Sequence, residues 1–327
     1  MQNNVNYPAF RRFFLYLLRW GLPVLIGWIV WKTLQAKKQD LGEVWNYLQA
    51  AFSTQNSWWL ILTLALTILN YSIETCKWQA LACKLEPMSF LTALKGVLAG
   101  QSLGFVSQAN VGDLAGKMGF MQSKNRLNSI GAFLLGSTIQ FLVTIFAGTL
   151  AYTYFLIRIH TEWGHWFILA ALWFSILVTI WLLLLRDKAA PLLEQIAWLA
   201  SSARFFRVLE TYEAKNIWYI TGLASLRFLT YSSQFLLVLH GFGVSLALID
   251  QLTVVWLLFL VKSIVPAFSF LSDLGIRTFS TLYFFGFYEV NPALVTSASL
   301  MVWMMNILIP VLVGALFVIQ LRYLKGD

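Results

Sequence analysis

Charge is what this sequence has little of. Only 11% of its 327 residues are Asp, Glu, Lys or Arg, where a soluble domain carries about 25%. So few charges cannot cover a folded surface in water, which excludes an ordinary soluble enzyme. Disorder is excluded as well, because 59% of the residues are hydrophobic and such a chain does not stay unfolded in water. Cysteine is scarce: Cys76 and Cys83 are the only two. Seven apart on one helix face, they lie too far apart along the axis to bond within that helix. No CxxC or Cys/His zinc spacing occurs. Histidine is rarer than any charged residue type. His160, Glu162 and His165 share one short loop, a weak metal signal that reads better as solvated polar residues. His240 stands alone at a helix end. No Ser/His/Asp set, P-loop or GxGxxG is present, so no metal, cofactor or catalytic residue is expected. Arg11, Arg12 and Arg19 precede a long apolar run with no small-residue cleavage site, so no cleavable signal is expected either.

What remains is an all-α polytopic membrane protein with a mean hydropathy of +0.71. A spanning helix needs about 20 mostly apolar residues. Six stretches qualify: 15–34, 58–75, 129–157, 166–185, 217–240 and 290–321. Pro310 predicts a kink in the last. Residues 40–52 are amphipathic and suit the membrane interface. Residues 186–216 form a long basic amphipathic loop. Two stretches, 90–126 and 251–288, are apolar but broken. The first holds Gly96, Gly100, Gly104, Gly112, Gly116 and Gly119; the second holds Pro266, Ser269, Ser272 and Gly275. Glycines there permit close backbone approach.

The broken stretches resemble each other. Each has Asp-Leu with a basic residue four past the Asp: Asp113 and Lys117 in the first, Asp273 and Arg277 in the second, 160 positions apart. Each is preceded by a span and followed by a long charge-free helix. This order predicts one membrane domain over 1–327, with a first repeat at about 57–157, a linker span at 166–185, and a second repeat at about 217–321. The formal net charge of +9 reads as basic cytoplasmic loops facing anionic headgroups rather than as a nucleic-acid surface. If each broken stretch is a re-entrant hairpin and the termini are cytoplasmic, fourteen basic residues fall inside and four outside. That is a strong positive-inside bias. The single span between the halves inverts the second relative to the first. Inverted repeats with broken helices near the midplane are a transporter signature.

The order of Glu74, Lys77-Trp78, a polar link, a glycine-rich stretch with Gly112-Asp113 and a long apolar helix resembles the first half of the lysylphosphatidylglycerol synthase transmembrane region, or flippase-like domain family. Pro266 through Ser272-Asp273-Leu274-Gly275-Ile276-Arg277 is similar to that family's Pro…Gly-Gly-Leu-Gly-Val-Arg-Glu segment. The resemblance covers about residues 13–321. The sequence departs from the pattern at Thr278, where the family has Glu, and at Ser272-Asp273, where it has Gly-Gly. The first-hairpin proline of the family falls near Gln108 or Ala109. The resemblance implies the lipid-translocating half of such proteins without the soluble aminoacyl-transfer domain. It also implies a polar-headed lipid as substrate and a separately encoded lipid-modifying enzyme as a partner.

Seven residues are the candidate substrate-binding set: Glu74, Asp113, Lys117, Arg227, Lys262, Asp273 and Arg277. Ionisable groups inside a membrane are rare and usually functional, and arginine offers phosphate a two-pronged fork. The plainer alternative for Asp113/Lys117 and Asp273/Arg277 is a self-neutralising pair four residues apart on a helix. Arg227 either lines a lipid path or pairs with Glu74. Glu74 and Lys77 read first as an interfacial cluster at a span end. The expected function is binding and translocation of an anionic, aminoacylated or polyprenyl-linked lipid in the cell membrane. A membrane-embedded transferase and a non-transporting subunit of a biosynthetic complex stand as alternatives.

Overall fold

Long apolar runs without helix breakers fold as helices, since a helix satisfies its backbone groups internally where water is scarce. The computed structural model describes residues 41–53, 58–107, 109–159, 163–185, 188, 191, 194, 207–265 and 270–321. Within them, five helical stretches are long and apolar enough to cross a membrane. They fall on five of the six expected spans. The sixth, 15–34, lies outside the described residues.

The order runs α1 (Leu41–Ser53), α2 (Trp58–Ala82), α3 (Phe90–Val106), α4 (Ala109–Met118), α5 (Ser129–Ile159), α6 (Gly164–Leu184), α7 (Ala214–Gly241), α8 (Leu248–Ile264), α9 (Phe270–Gly286), α10 (Pro292–Trp303) and α11 (Ile309–Val318). Helix α1 is the expected amphipathic segment. It docks on the protein, with Val44 and Ala51 buried and the Ser297 hydroxyl of α10 donating to the Val44 carbonyl at 3.1 Å. Of the expected loop at 186–216, the described part includes a short 3-10 turn, Val208–Thr211. Beside it, buried Tyr212 donates to the Leu81 carbonyl at 2.8 Å.

Both broken stretches are helical hairpins. In the first, α3 and α4 meet backbone to backbone. A Cβ on Gly112 would lie 2.3 Å from the Gly104 nitrogen, and one on Gly116 would lie 2.1 Å from the Gly100 nitrogen. This is the small-residue packing that lets membrane helices approach closely. Helices α8 and α9 form the second hairpin. The tip residues Gln108, Pro266 and Ser269 lie outside the described residues.

The two halves interlock. Helices α2 and α7 cross antiparallel: Trp59 packs at Gly241, Thr67 meets Gln234, and Glu74 meets Arg227. The first helix of each hairpin packs on the long helix of the other half. Gly314 of α11 sits against the Leu98 carbonyl of α3, and Gly148 of α5 against Leu260 of α8.

Between α10 and α11 the helix widens into a π segment, Met304–Leu308. Pro310 explains it. A proline inside a helix has no amide hydrogen and crowds the carbonyl four residues back, and a π turn relieves that crowding. The carbonyl in question belongs to Asn306. It accepts instead from the Tyr71 hydroxyl of α2 at 2.9 Å.

Candidate functional site

One cavity is lined by six charged side chains. It measures about 560 Å³ and is lined by residues of α2, α4, α5, α6, α7 and α8. Glu74, Asp113, Lys117, Arg227 and Lys262 all line it, together with Lys77. These residues are scattered over nearly 190 positions of sequence. The antiparallel α2–α7 crossing and the first hairpin bring them to one place.

Glu74 is the hub. Its carboxylate lies 2.6 Å from Lys77 Nζ, 2.9 Å from Lys117 Nζ and 3.2 Å from Arg227 Nη1. Three cations on one buried carboxylate is a heavily compensated arrangement. Burial without partners is expensive for a charge, and each of these cations is partnered. Lys117 also bonds Asp113 at 2.9 Å and lies over the rings of Phe133 and Trp78, whose π faces attract cations. Lys77 donates to Gln140 Oε1 at 3.0 Å.

The second hairpin reaches the same cavity through Lys262. Its ammonium lies 3.0 Å from Asp273. Arg277 is 3.6 Å from the same carboxylate and donates to the Tyr231 hydroxyl of α7. Asp273 and Arg277 do not line the cavity, and Arg277 is 0% exposed. Of the charged side chains that line the cavity, the most exposed are Asp113 at 34%, Lys262 at 32% and Arg227 at 30%.

The structure corrects several expectations. Glu74 and Lys77 are buried inside the bundle rather than exposed at a helix end. Helix α2 runs on to Ala82, and both side chains are buried. Lys77 and Lys117 belong to helices α2 and α4 rather than to the links between helices. Both expected pairs four residues apart form, but neither is self-contained: Lys117 pairs with Asp113 and also with Glu74, and Asp273 lies nearer to Lys262 than to Arg277. Of the weak metal trio, His165 bonds the Tyr152 hydroxyl at 2.7 Å, while His160 and Glu162 lie outside the described residues.

Sequence reasoning missed a neutral network beside the charged one. Gln234 of α7 donates to Thr67 Oγ1 at 2.6 Å and to the Thr63 carbonyl at 3.1 Å. Its Oε1 accepts from Asn306 Nδ2 at 2.8 Å, and Asn70 donates to Asn306 Oδ1 at 3.0 Å. A signal existed. Leu69, Tyr71, Ser72 and Glu74 recur 160 positions on as Leu229, Tyr231, Ser232 and Gln234. That offset equals the one separating Asp113 from Asp273. It also makes Thr67 the counterpart of Arg227. The same two crossing points of α2 and α7 thus hold an ion pair in one place and a neutral hydrogen bond in the other.

A family model described as Lysylphosphatidylglycerol synthase TM region matches residues 18–314. The chain belongs to this family. The match takes in all of α1 to α10 and every residue of the charged cavity, so the lysylphosphatidylglycerol synthase TM region is the unit that carries the site. No curated protein and no solved structure matches the chain.

Proposed function

We propose that this protein binds the polar, negatively charged head of a membrane lipid in the cavity and moves that lipid across the cell membrane. The observation that carries the reading is the charge of the cavity wall. Lys77, Lys117, Arg227 and Lys262 stand against Glu74 and Asp113, an excess of two cations. An anionic headgroup supplies the missing charge, and charge-assisted hydrogen bonds to phosphate oxygens are among the stronger polar contacts. Arg227 and Lys262 are the cations open to it. Lys117 and Lys77 are held by Glu74 and set the field of the wall. Arg277 and Asp273 act behind Lys262 by fixing its position.

The same reading makes the two hairpins re-entrant and the two halves an inverted repeat with cytoplasmic termini. The antiparallel crossing of α2 and α7, and the exchange of hairpins between the halves, support it. Helices α3 and α8 have 17 residues each, about 25 Å at 1.5 Å per residue, shorter than a hydrocarbon core of about 30 Å. In this scheme no residue has a catalytic role, and a separate lipid-modifying enzyme provides or consumes the lipid.

The test is transbilayer movement of a reporter lipid in proteoliposomes. Wild type is expected to move a head-labelled anionic lipid faster than protein-free liposomes, and the double variant Arg227→Gln/Lys262→Gln to fall to the protein-free rate while keeping its thermal stability. Equal rates for wild type and empty liposomes, under every imposed ion gradient, would overturn translocation.

A further inference from the structure

Resting on that reading, we infer that the head this cavity accepts carries two negative charges close together, as a phosphomonoester or a diphosphate does. The argument is one of charge balance and access. Across the two ion-pair clusters that meet at the cavity, Lys77, Lys117, Arg227, Lys262 and Arg277 face Glu74, Asp113 and Asp273. Five cations against three carboxylates leave an excess of two, the same excess as the cavity wall alone. A singly charged phosphodiester leaves one of these cations uncompensated. A zwitterionic head leaves two, and an aminoacylated head adds further positive charge. Only a dianion restores neutrality in a site where uncompensated charge is costly.

Access points the same way. Lys117 is buried between two carboxylates, and Lys77 is buried between Glu74 and Gln140. Arg227 and Lys262 are each about a third exposed and reach the cavity from different helices, α7 and α8. Two open cations on opposite supports suit two anionic oxygens or two linked phosphates. Arg227 adds a second sign of an absent acceptor: its Nε is buried and has no hydrogen-bond partner among the described residues. A guanidinium binds phosphate with two parallel donors, and here Nη1 faces Glu74 and Gln140 while Nε has no such partner.

The experiment measures ligand-dependent thermal stabilisation of the full chain in detergent. The probes are short-chain phosphatidic acid, short-chain phosphatidylglycerol and inorganic phosphate, above pH 8. Phosphatidic acid is expected to bind at least about tenfold tighter than phosphatidylglycerol. In Lys262→Gln, which leaves one excess cation, that preference should collapse to within about twofold; Arg227→Lys, which keeps the charge, should preserve it. Inorganic phosphate binding as tightly as phosphatidic acid would support the dianion and assign its source to a free phosphate rather than a lipid. Equal affinity for the two lipids would overturn the dianion while leaving lipid binding intact. No stabilisation by any probe would overturn both.

Discussion

Glu74 and Gln234 occupy the same place in the two halves of the chain, 160 positions apart, yet Glu74 holds three cations and Gln234 holds only neutral partners. The α2–α7 crossing is therefore symmetric in shape and asymmetric in charge. The charge sits on the side where the first hairpin brings Lys117, and the neutral side closes on Asn306 of the π segment. One side is a cluster of ion pairs, the other a set of neutral hydrogen bonds.

Glu74→Gln should be the most damaging single change in the cluster. It leaves Lys77, Lys117 and Arg227 crowded without their shared carboxylate. Removing one partner from a buried ion pair costs about 3–5 kcal/mol. The expected outcome is a sharp fall in thermal unfolding temperature in detergent. Glu74→Asp, which keeps the charge, should recover part of it. A variant as stable as wild type would mean the cluster is not closed as described.

The first hairpin should not tolerate a methyl group at its helix contact. Gly112→Ala or Gly116→Ala places a Cβ within 2.3 Å of facing backbone, and backbone cannot rotate away as a side chain can. Overpacking of this kind costs about 1–3 kcal/mol or more. Gly222→Ala is the control. Its Cβ would meet nothing within 4 Å, and alanine favours a helix interior over glycine by about 1 kcal/mol. Thermal unfolding of the three variants should therefore shift in opposite directions.

Tyr71 and Pro310 should be coupled energetically. The Tyr71 hydroxyl satisfies a carbonyl that Pro310 cannot. Tyr71→Phe alone leaves that carbonyl buried and unpaired, at about 1–3 kcal/mol. In a Pro310→Ala background an amide is available at position 310, so the same change should cost less. A double-mutant cycle in thermal stability reads the coupling, expected at 0.5 kcal/mol or more. Additive effects would separate the two residues.

The links flanking the first hairpin should lie on one side of the membrane. Cys83 is free and exposed before α3, and Lys124 lies in the 3-10 turn after α4. In a Cys76→Ser background, Cys83 and Lys124→Cys should both label with an impermeant thiol reagent from the cytoplasmic face. Labelling from opposite faces would contradict the re-entrant arrangement.

Most of the helix order was legible in the sequence, because a crossing segment needs a long apolar run and five of the six runs are found as helices. The close contact of α3 with α4 was legible too, since glycines at four-residue spacing have few other uses in an apolar stretch; the second stretch showed only as an apolar run broken by Pro266 and Gly275. The site was legible as residue types and only partly as geometry. A charge near a span end reads as the end of the span, so Glu74 and Lys77 looked interfacial; α2 continues because their partners come from α4, α5 and α7. Gln140, Tyr231 and Gln234 were invisible as partners, for a lone neutral polar residue on an apolar helix gives no hint of what it meets. Arg277 looked like the headgroup contact because arginine suits phosphate, but it packs behind Lys262, and the open guanidinium is that of Arg227.

The central claim is that the cavity holds an anionic lipid head, and lipid identification by native mass spectrometry tests it most directly. Wild type and Arg227→Gln would be purified side by side from the same membranes. The expected result is one anionic headgroup class enriched on wild type over the bulk lipid extract and lost from an equally folded variant. Bound lipid that mirrors the bulk extract in both proteins would contradict the claim and leave Arg227 as no more than a structural partner of Glu74.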